Sequence, residues 1–395
     1  MSSARVQETG KANRKHWRKR ALICPERKQN SSLSIRPTFR THKYQAFRCS
    51  PATRLVKGLG QYVVRRVAHA IVVILGVILI TFIVSHVIPG NPAALWVGAH
   101  PTAQQIQAAK ETLGLDKPLP VQFYIYITNL LRGDLGVSIR THNPVLSDVA
   151  VGLAATLELI IVAFIMAVTA GILLGVYSAA HRDRVPDHFG RVVAIFGVSM
   201  APFWLAMILQ LVFSQALGLF PLGGRLTTSV SIIYPVRPIT GFNLIDSLIE
   251  GNFIAFTDTL WHIFLPALAL AAYPFGLTVR MIRTMMIEVL QENYTRSALA
   301  WGLPSRMILF KYALRNAVSS TVIALGMSFA YALTGAFLDE IIFVWPGLGT
   351  YTALSILALD YPAIMGTVIV VAIFYVTINL LVDIFQAFLD PRVTL

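Results

Sequence analysis

The chain begins with a long polar, basic stretch, and beyond residue 66 apolar blocks alternate with short polar ones. Six runs contain no Asp, Glu, Lys or Arg: residues 67–88, 159–180, 192–219, 259–279, 316–338 and 361–382. A charge at the bilayer centre costs several kcal/mol and about 20 apolar residues cross the hydrocarbon, so each run predicts a transmembrane helix. With their flanking turns the predicted spans are 67–88, 153–180, 192–219, 259–283, 316–340 and 361–387. A seventh charge-free run, 341–359, is interrupted by Pro346, Gly347 and Gly349. That break would leave backbone groups unpaired in lipid. It predicts a turn on the outer surface followed by a short helix, with a half-buried re-entrant segment as the alternative. The expected fold is all-α, a polytopic membrane protein with six transmembrane helices.

Composition agrees: the 395 residues are 55% hydrophobic and 13% charged, with a mean hydropathy of +0.65. A soluble globule is excluded. The net charge of +14 suggests a nucleic-acid partner until it is located. Seventeen of the 33 basic residues precede Val67, against Glu8 and Glu26, which leaves 16 basic and 17 acidic residues in the membrane body. No nucleic-acid role follows. Residues 1–54 form a basic extension without sustained apolar period, expected to be disordered. Three readings of it stand side by side: a start codon placed too early, a tail lying on anionic lipid, or an Arg-rich transit sequence. Membrane lipid is thus one expected partner, since each basic residue near an anionic surface is worth about 1 kcal/mol. Cys24 and Cys49 have no metal-ligand or disulfide spacing, so no metal site is expected.

Orientation follows from the short loops. Arg65 and Arg66 precede span one, three arginines lie between spans two and three, and Arg280, Arg283, Arg296, Arg306, Lys311 and Arg315 lie between spans four and five. The positive-inside rule puts both termini in the cytoplasm, and residues 284–315 with them. The outer loop, 89–152, has a capping-box pair, Thr102 and Gln105, with Gly114 available to end that helix. Its apolar, aromatic stretch 121–131 predicts a helix against the membrane body. Gly171 and Gly175 allow close helix approach in span two. Glu158, at the outer end of that span, reads as a structural carboxylate, and His86 and His262 as interfacial residues.

Residues 294–318 read YTRSALAWGLPSRMILFKYALRNAV. Leu290, Tyr294, Ala298 and Trp301 are spaced to share one helical face, with the small Ser297 and Ala300 beside it. Gly302 can end the helix with positive φ, and Pro304 can open the next at its first turn. Such a face either occupies a groove on another protein or folds back on its own bundle. These spacings leave the two even.

The same stretch resembles the cytoplasmic loop of permease subunits of binding-protein-dependent ABC importers, in the dipeptide and oligopeptide family. Tyr294, Arg296, Ala298, Ala300, Gly302, Leu303 and Ala313 to Ala317 carry the match. IPGNPA, LGLDKPLPVQ, RGDLGVSIR, FLPALAL, MIEVLQENY, FVWPGLGTY, DYP and NLLVDIFQAFLDPR, in order, are similar to that family's motifs and extend the resemblance over residues 62–395. It departs at Leu299 and Trp301, where basic residues are common, and at Ser319 and Ser320, where an Ile-Pro pair is frequent. The resemblance implies a type I ABC importer permease fold in the plasma (inner) membrane, comprising residues 55–395. It also implies a second homologous permease subunit, two cytoplasmic ATPase subunits and an extracytoplasmic solute-binding protein as partners. The cargo would be di- or oligopeptides or a related solute such as glutathione, nickel or an oligosaccharide. Tyr294, Arg296, Ser297, Ala298, Leu299, Trp301 and Gly302 would form the ATPase-coupling helix.

No phosphate loop of the GxxxxGK[ST] type occurs, so the chain is not expected to be an enzyme, to carry catalytic residues or to hold a cofactor. A secondary transporter would need mid-membrane carboxylates or unwound helices, which the spans scarcely offer. An intramembrane hydrolase would have to use Ser199, which has no GxSxG glycine after it and no mid-span histidine.

Overall fold

A computed structural model describes residues 52–87, 97, 102–112 and 116–389. The basic extension, apart from its last three residues, lies outside them, as do Gly114 and IPGNPA. Among the described residues the chain is all-α and polytopic, with one isolated antiparallel bridge between Val137 and Pro144 and no strand. Five helices are long and apolar enough to cross a membrane: α1 (Ala52–Val87), α4 (Val145–Ala180), α9 (Phe253–Gln291), α12 (Leu314–Ile342) and α14 (Tyr361–Leu389). Shorter helices connect them: α2 (Ala103–Thr112), α3 (Leu119–Leu131), α5 (Val185–Ser199), α6 (Pro202–Leu209, continued by a π-helical segment Gln210–Ala216), α7 (Thr228–Ile233), α8 (Asn243–Ile249), α10 (Asn293–Ala300), α11 (Ser305–Met307) and α13 (Leu348–Leu357). A π-helical segment, Ile308–Ala313, joins α11 to α12.

The third span departs from the continuous helix expected over residues 192–219. α5 and α6 together supply its apolar length but meet at a 103° bend. Pro202 is the cause: it has no N–H to continue the ladder, and it pushes Ala201 (φ −70°, ψ 128°) into extended backbone. Hydropathy is uniform across this point, so the span reads as unbroken although its backbone is not.

Lipid tails are as apolar as leucine, so helices in a bilayer associate through close packing and not through burial from water. Small residues therefore set the bundle. α4 lies along α9 with Gly171 over Thr278 and Gly175 over Ile282, where an added Cβ would sit 2.7 and 2.9 Å from the facing side chains. α5 meets α9 backbone to backbone: a Cβ on Gly197 would approach the Ala272 carbonyl to 2.6 Å, and one on Gly276 the Ala194 carbonyl to 2.5 Å. Around α9 the main core gathers Leu159, Ile160 and Ala163 of α4, Ile263 and Ala267 of α9, and Leu333 and Ala336 of α12. α3 rests on α1 through Phe82, whose ring meets Phe123 edge-on at 5.0 Å. Thr102 and Gln105 form the reciprocal capping bonds their spacing suggests, from Thr102 N–H to Gln105 Oε1 (2.9 Å) and from Gln105 N–H to Thr102 Oγ1 (3.4 Å).

Candidate functional site

The chain builds two polar regions at opposite ends of α12. At its N-terminal end is the elbow made by α9, α10 and α11. α9 ends at Gln291, and Glu292 (φ −64°, ψ 149°) is extended backbone that also starts α10. The Val289 carbonyl, which loses its i+4 partner at the break, accepts the Glu292 N–H at 3.2 Å and the Thr295 hydroxyl at 2.8 Å. This corrects the sequence expectation of one stripe from Leu290 to Trp301. Leu290 belongs to α9 and packs beside Ile282 and Ala313, while Tyr294, Ala298 and Trp301 sit on or just past a separate short helix. A 3.6-residue period simply continues across a kink, so spacing alone does not reveal it.

α10 closes with a Schellman motif. Gly302 N–H donates to the Leu299 carbonyl at 3.0 Å, Leu303 N–H to that of Ala298 at 3.3 Å, and Gly302 has φ 75°. A Cβ on Gly302 would meet nothing within 4 Å, so the glycine is there for its backbone angle and not for space. Pro304 takes the N-cap of α11, one residue earlier than the first-turn position expected. The Asn316 side-chain amide donates to the Tyr294 hydroxyl at 2.7 Å and ties α10 to α12. The Ser297 hydroxyl turns back to the Asn293 carbonyl at 3.0 Å. Arg296 is exposed, Ala298 is half-buried, Leu299 is 53% exposed and Trp301 is 85% exposed. One edge of the elbow is thus held to the bundle and the other presents bare apolar surface.

The second region, at the C-terminal end of α12, is one that sequence reasoning largely missed. Glu340 is fully buried and accepts from the Thr156 hydroxyl of α4 (2.5 Å) and the backbone N–H groups of Gly349 (2.6 Å) and Thr350 (3.3 Å). These are the backbone groups that the Pro346 to Gly349 break was expected to strand. The turn is therefore tied to the bundle by these bonds and by Trp345, while Val344 and Pro346 stay exposed, and the short helix expected after it is α13. Trp345 within it is 0% exposed and donates its indole N–H to the Ala155 carbonyl at 2.9 Å. Glu158 is ion-paired to Arg225 and accepts Leu244 N–H at 2.7 Å. Arg225 also donates to the Gly241 carbonyl (3.0 Å) and lies 5.6 Å above the Trp345 ring. The structural reading of Glu158 stands, with partners no local pattern shows. Asp339 is also buried, and neither of its carboxylate oxygens has a hydrogen-bond partner among the described residues. A signal was available: Asp339 and Glu340 stand seven and six residues before Pro346, at a Pro-Gly break whose amides need an acceptor.

An all-α bundle with small-residue helix contacts, a broken third span and an exposed elbow between long helices defines a polytopic membrane protein. Family comparison then specifies it. Residues 171–395 match the family described as binding-protein-dependent transport system inner membrane component, and residues 59–161 match the N-terminal region of such membrane components. The chain belongs to this family and is a multi-pass inner membrane protein of a binding-protein-dependent transport system, not an enzyme. It is similar to a protein named probable D,D-dipeptide transport system permease DdpB of Escherichia coli, at 44% identity over 82% of this chain and 94% of that protein. It is also similar to the dipeptide transport system permease DppB of Alkalihalophilus pseudofirmus, at 38% identity over 84% and 98%. With the glutathione transport system permease GsiC of Pectobacterium atrosepticum it shares 33% identity over 84% and 98%.

Proposed function

We propose that this chain and a second, related permease line the translocation pathway of an ATP-driven importer whose cargo is di- or oligopeptides. An extracytoplasmic binding protein delivers the cargo, and two ATPase subunits bind at the end of the bundle that carries α10. That end is cytoplasmic, as are both termini. The peptide assignment rests on the relatives named for dipeptides, which reach 44% identity, against 33% for the relative named for glutathione.

One observation supports the coupling role most directly. Trp301 is 85% exposed on a turn whose geometry Gly302 fixes, beside Leu299 at 53%, while Thr295 and Asn316 hold the rest of the elbow to the bundle. A surface of this kind can occupy an apolar groove and transmit its movement to α9 and α12. Tyr294, Arg296, Ser297 and Ala298 then form the contact with Leu299 and Trp301, and Gly302 holds the turn. The ATPases supply the energy, because this chain has no phosphate loop.

The test is to purify the chain with its neighbouring subunits and measure ATPase co-purification and ATP-dependent dipeptide uptake into proteoliposomes. Ala298→Glu and Gly302→Lys should each strip the ATPases from an otherwise intact permease. Uptake that proceeds without any ATPase refutes the proposal.

A further inference from the structure

We propose that the cavity between α5 and the last third of α9 is a binding site for the phosphate headgroup of an anionic phospholipid. The cavity has a volume of about 460 Å³ and lies at the end of the bundle that carries α10. Its polar wall holds Arg191 of α5 and Arg280 and Arg283 of α9. Its lining also includes the apolar Ala194, Ile195 and Val198 of α5.

The charges do not balance. Asp187 is the acid paired into this cluster, and Arg283 claims it in a two-point contact, Nε to Oδ1 at 2.5 Å and a terminal nitrogen to Oδ2 at 2.8 Å. Asp187 accepts further from the Ser178 hydroxyl at 2.7 Å and from Asp183 N–H at 3.0 Å, so its lone pairs are largely committed. Arg191 is left 3.7 Å from it, shares a contact with the His188 ring at 2.8 Å, and buries its Nε without a partner. The Arg280 guanidinium makes no ion pair or hydrogen bond among the described residues. Asp187 is committed to Arg283 and the other nearby acid, Asp183, pairs with Arg182 at 3.3 Å, so the three guanidiniums that line the cavity keep an excess of positive charge. Arg283, locked by Asp187, gives Arg191 and Arg280 a fixed wall to work from.

Guanidinium forks suit phosphate oxygens, which they bind by paired, charge-assisted hydrogen bonds. The apolar lining identifies the anion as amphiphilic. Ile195 both lines the cavity and is 66% exposed, and its neighbours Val192 and Phe196 are exposed at 65% and 60%. An apolar track therefore leads out of the cavity along α5. A phosphodiester seated between Arg191 and Arg280 would lay its acyl chains on that track, whereas free phosphate would leave the track uncovered.

The experiment uses the full chain in a neutral detergent, titrated with dihexanoyl phosphatidylglycerol, the matching phosphatidylcholine, inorganic phosphate and dialanine, with bound ligand read by native mass spectrometry. Each basic residue is worth about 1 kcal/mol toward an anionic headgroup, or about fivefold in affinity. Phosphatidylglycerol should bind in preference to phosphatidylcholine, and Arg191→Gln with Arg280→Gln should weaken it about 25-fold. The corresponding double lysine variant keeps both charges but not the forks and should bind more tightly than the double glutamine variant and less tightly than wild type, a graded order that a collapsed fold would not give. Should the double glutamine variant fail to fold, Arg280→Gln alone carries the test, because that side chain supports no other contact, and about fivefold weakening is expected. Unchanged phosphatidylglycerol binding in that variant overturns the proposal. So does inorganic phosphate binding as tightly with the same arginine dependence, or competition by dialanine, which would make the cavity part of the cargo route.

Discussion

Removing both members of the Glu158–Arg225 pair should destabilise the protein by clearly less than the sum of the two single removals. Their side chains are 2% and 12% exposed, so neither charge is solvated when its partner is lost. Two charges about 4 Å apart at an effective dielectric of about 20 attract by roughly 4 kcal/mol, and breaking a buried pair typically costs about 3–5 kcal/mol. Glu158→Leu leaves Arg225 with the Gly241 carbonyl and the Trp345 ring, a desolvated cation–π contact worth about 2 kcal/mol. Arg225→Met leaves Glu158 with the Leu244 amide only. We expect each single change to cost about 3 kcal/mol and Arg225→Met to be at least as costly as Glu158→Leu. The double variant should cost about 2 kcal/mol less than the sum of the two. The assay is a double-mutant cycle on the purified chain, with stability read from reversible unfolding in mixed micelles. Additive single costs, with a coupling under about 0.5 kcal/mol, would refute the argument that each charge is held in place by the other.

Gly197→Leu should break the α5–α9 contact, because even its Cβ would lie 2.6 Å from the Ala272 carbonyl; a loss of at least about 1–3 kcal/mol in the same unfolding assay is expected. Asp339→Leu removes a buried acid with no hydrogen-bond partner among the described residues and should leave stability unchanged or raise it by about 1–3 kcal/mol, so a comparable loss would count against this reading. Burial alone would raise the Asp246 carboxyl, but the Thr240 hydroxyl and the N–H groups of Thr240, Gly241 and Ile239 outweigh it and hold the carboxyl below its ordinary value. Its contribution is therefore present above the unfolded value near about 4 and disappears as pH falls through the folded one. The stability gap between wild type and Asp246→Asn, measured from neutral pH downward, should close in acid. Trp301→Ala should change stability by less than about 0.5 kcal/mol and still weaken ATPase co-purification, since an 85% exposed side chain supports little of its own fold.

The long helices were legible because a charge in lipid is expensive, and that cost writes span positions directly into composition. Two failures have one cause. The bend before Pro202 and the break at Glu292 both interrupt backbone hydrogen bonding while apolar spacing runs on unchanged, and the spacing was the feature being read. At the elbow, Gly302 announces its own angle because few other residues adopt φ 75°. The polar junction at the other end of α12 offered no comparable local sign. Thr156 and Glu340 are 184 positions apart, and Ala155 and Trp345 190, so their meeting is a property of the packed bundle. Glu158 stands out in the sequence as an isolated carboxylate, but its arginine lies 67 positions away in a loop.

The burial of Trp345 also makes the molecule its own optical reporter. Trp345 sits at the α13 end with no exposed surface, and Trp301 stands at the α10 end almost entirely in the open. Aqueous iodide can collide with Trp301 and not with Trp345, so emission that survives quenching includes light from the shielded end. Motion that opens the turn around Glu340 should let quencher reach Trp345, and a subunit seated on the elbow should shade Trp301. With the chain's four other tryptophans replaced by phenylalanine, the two indoles at opposite ends of α12 would report both events without an attached label.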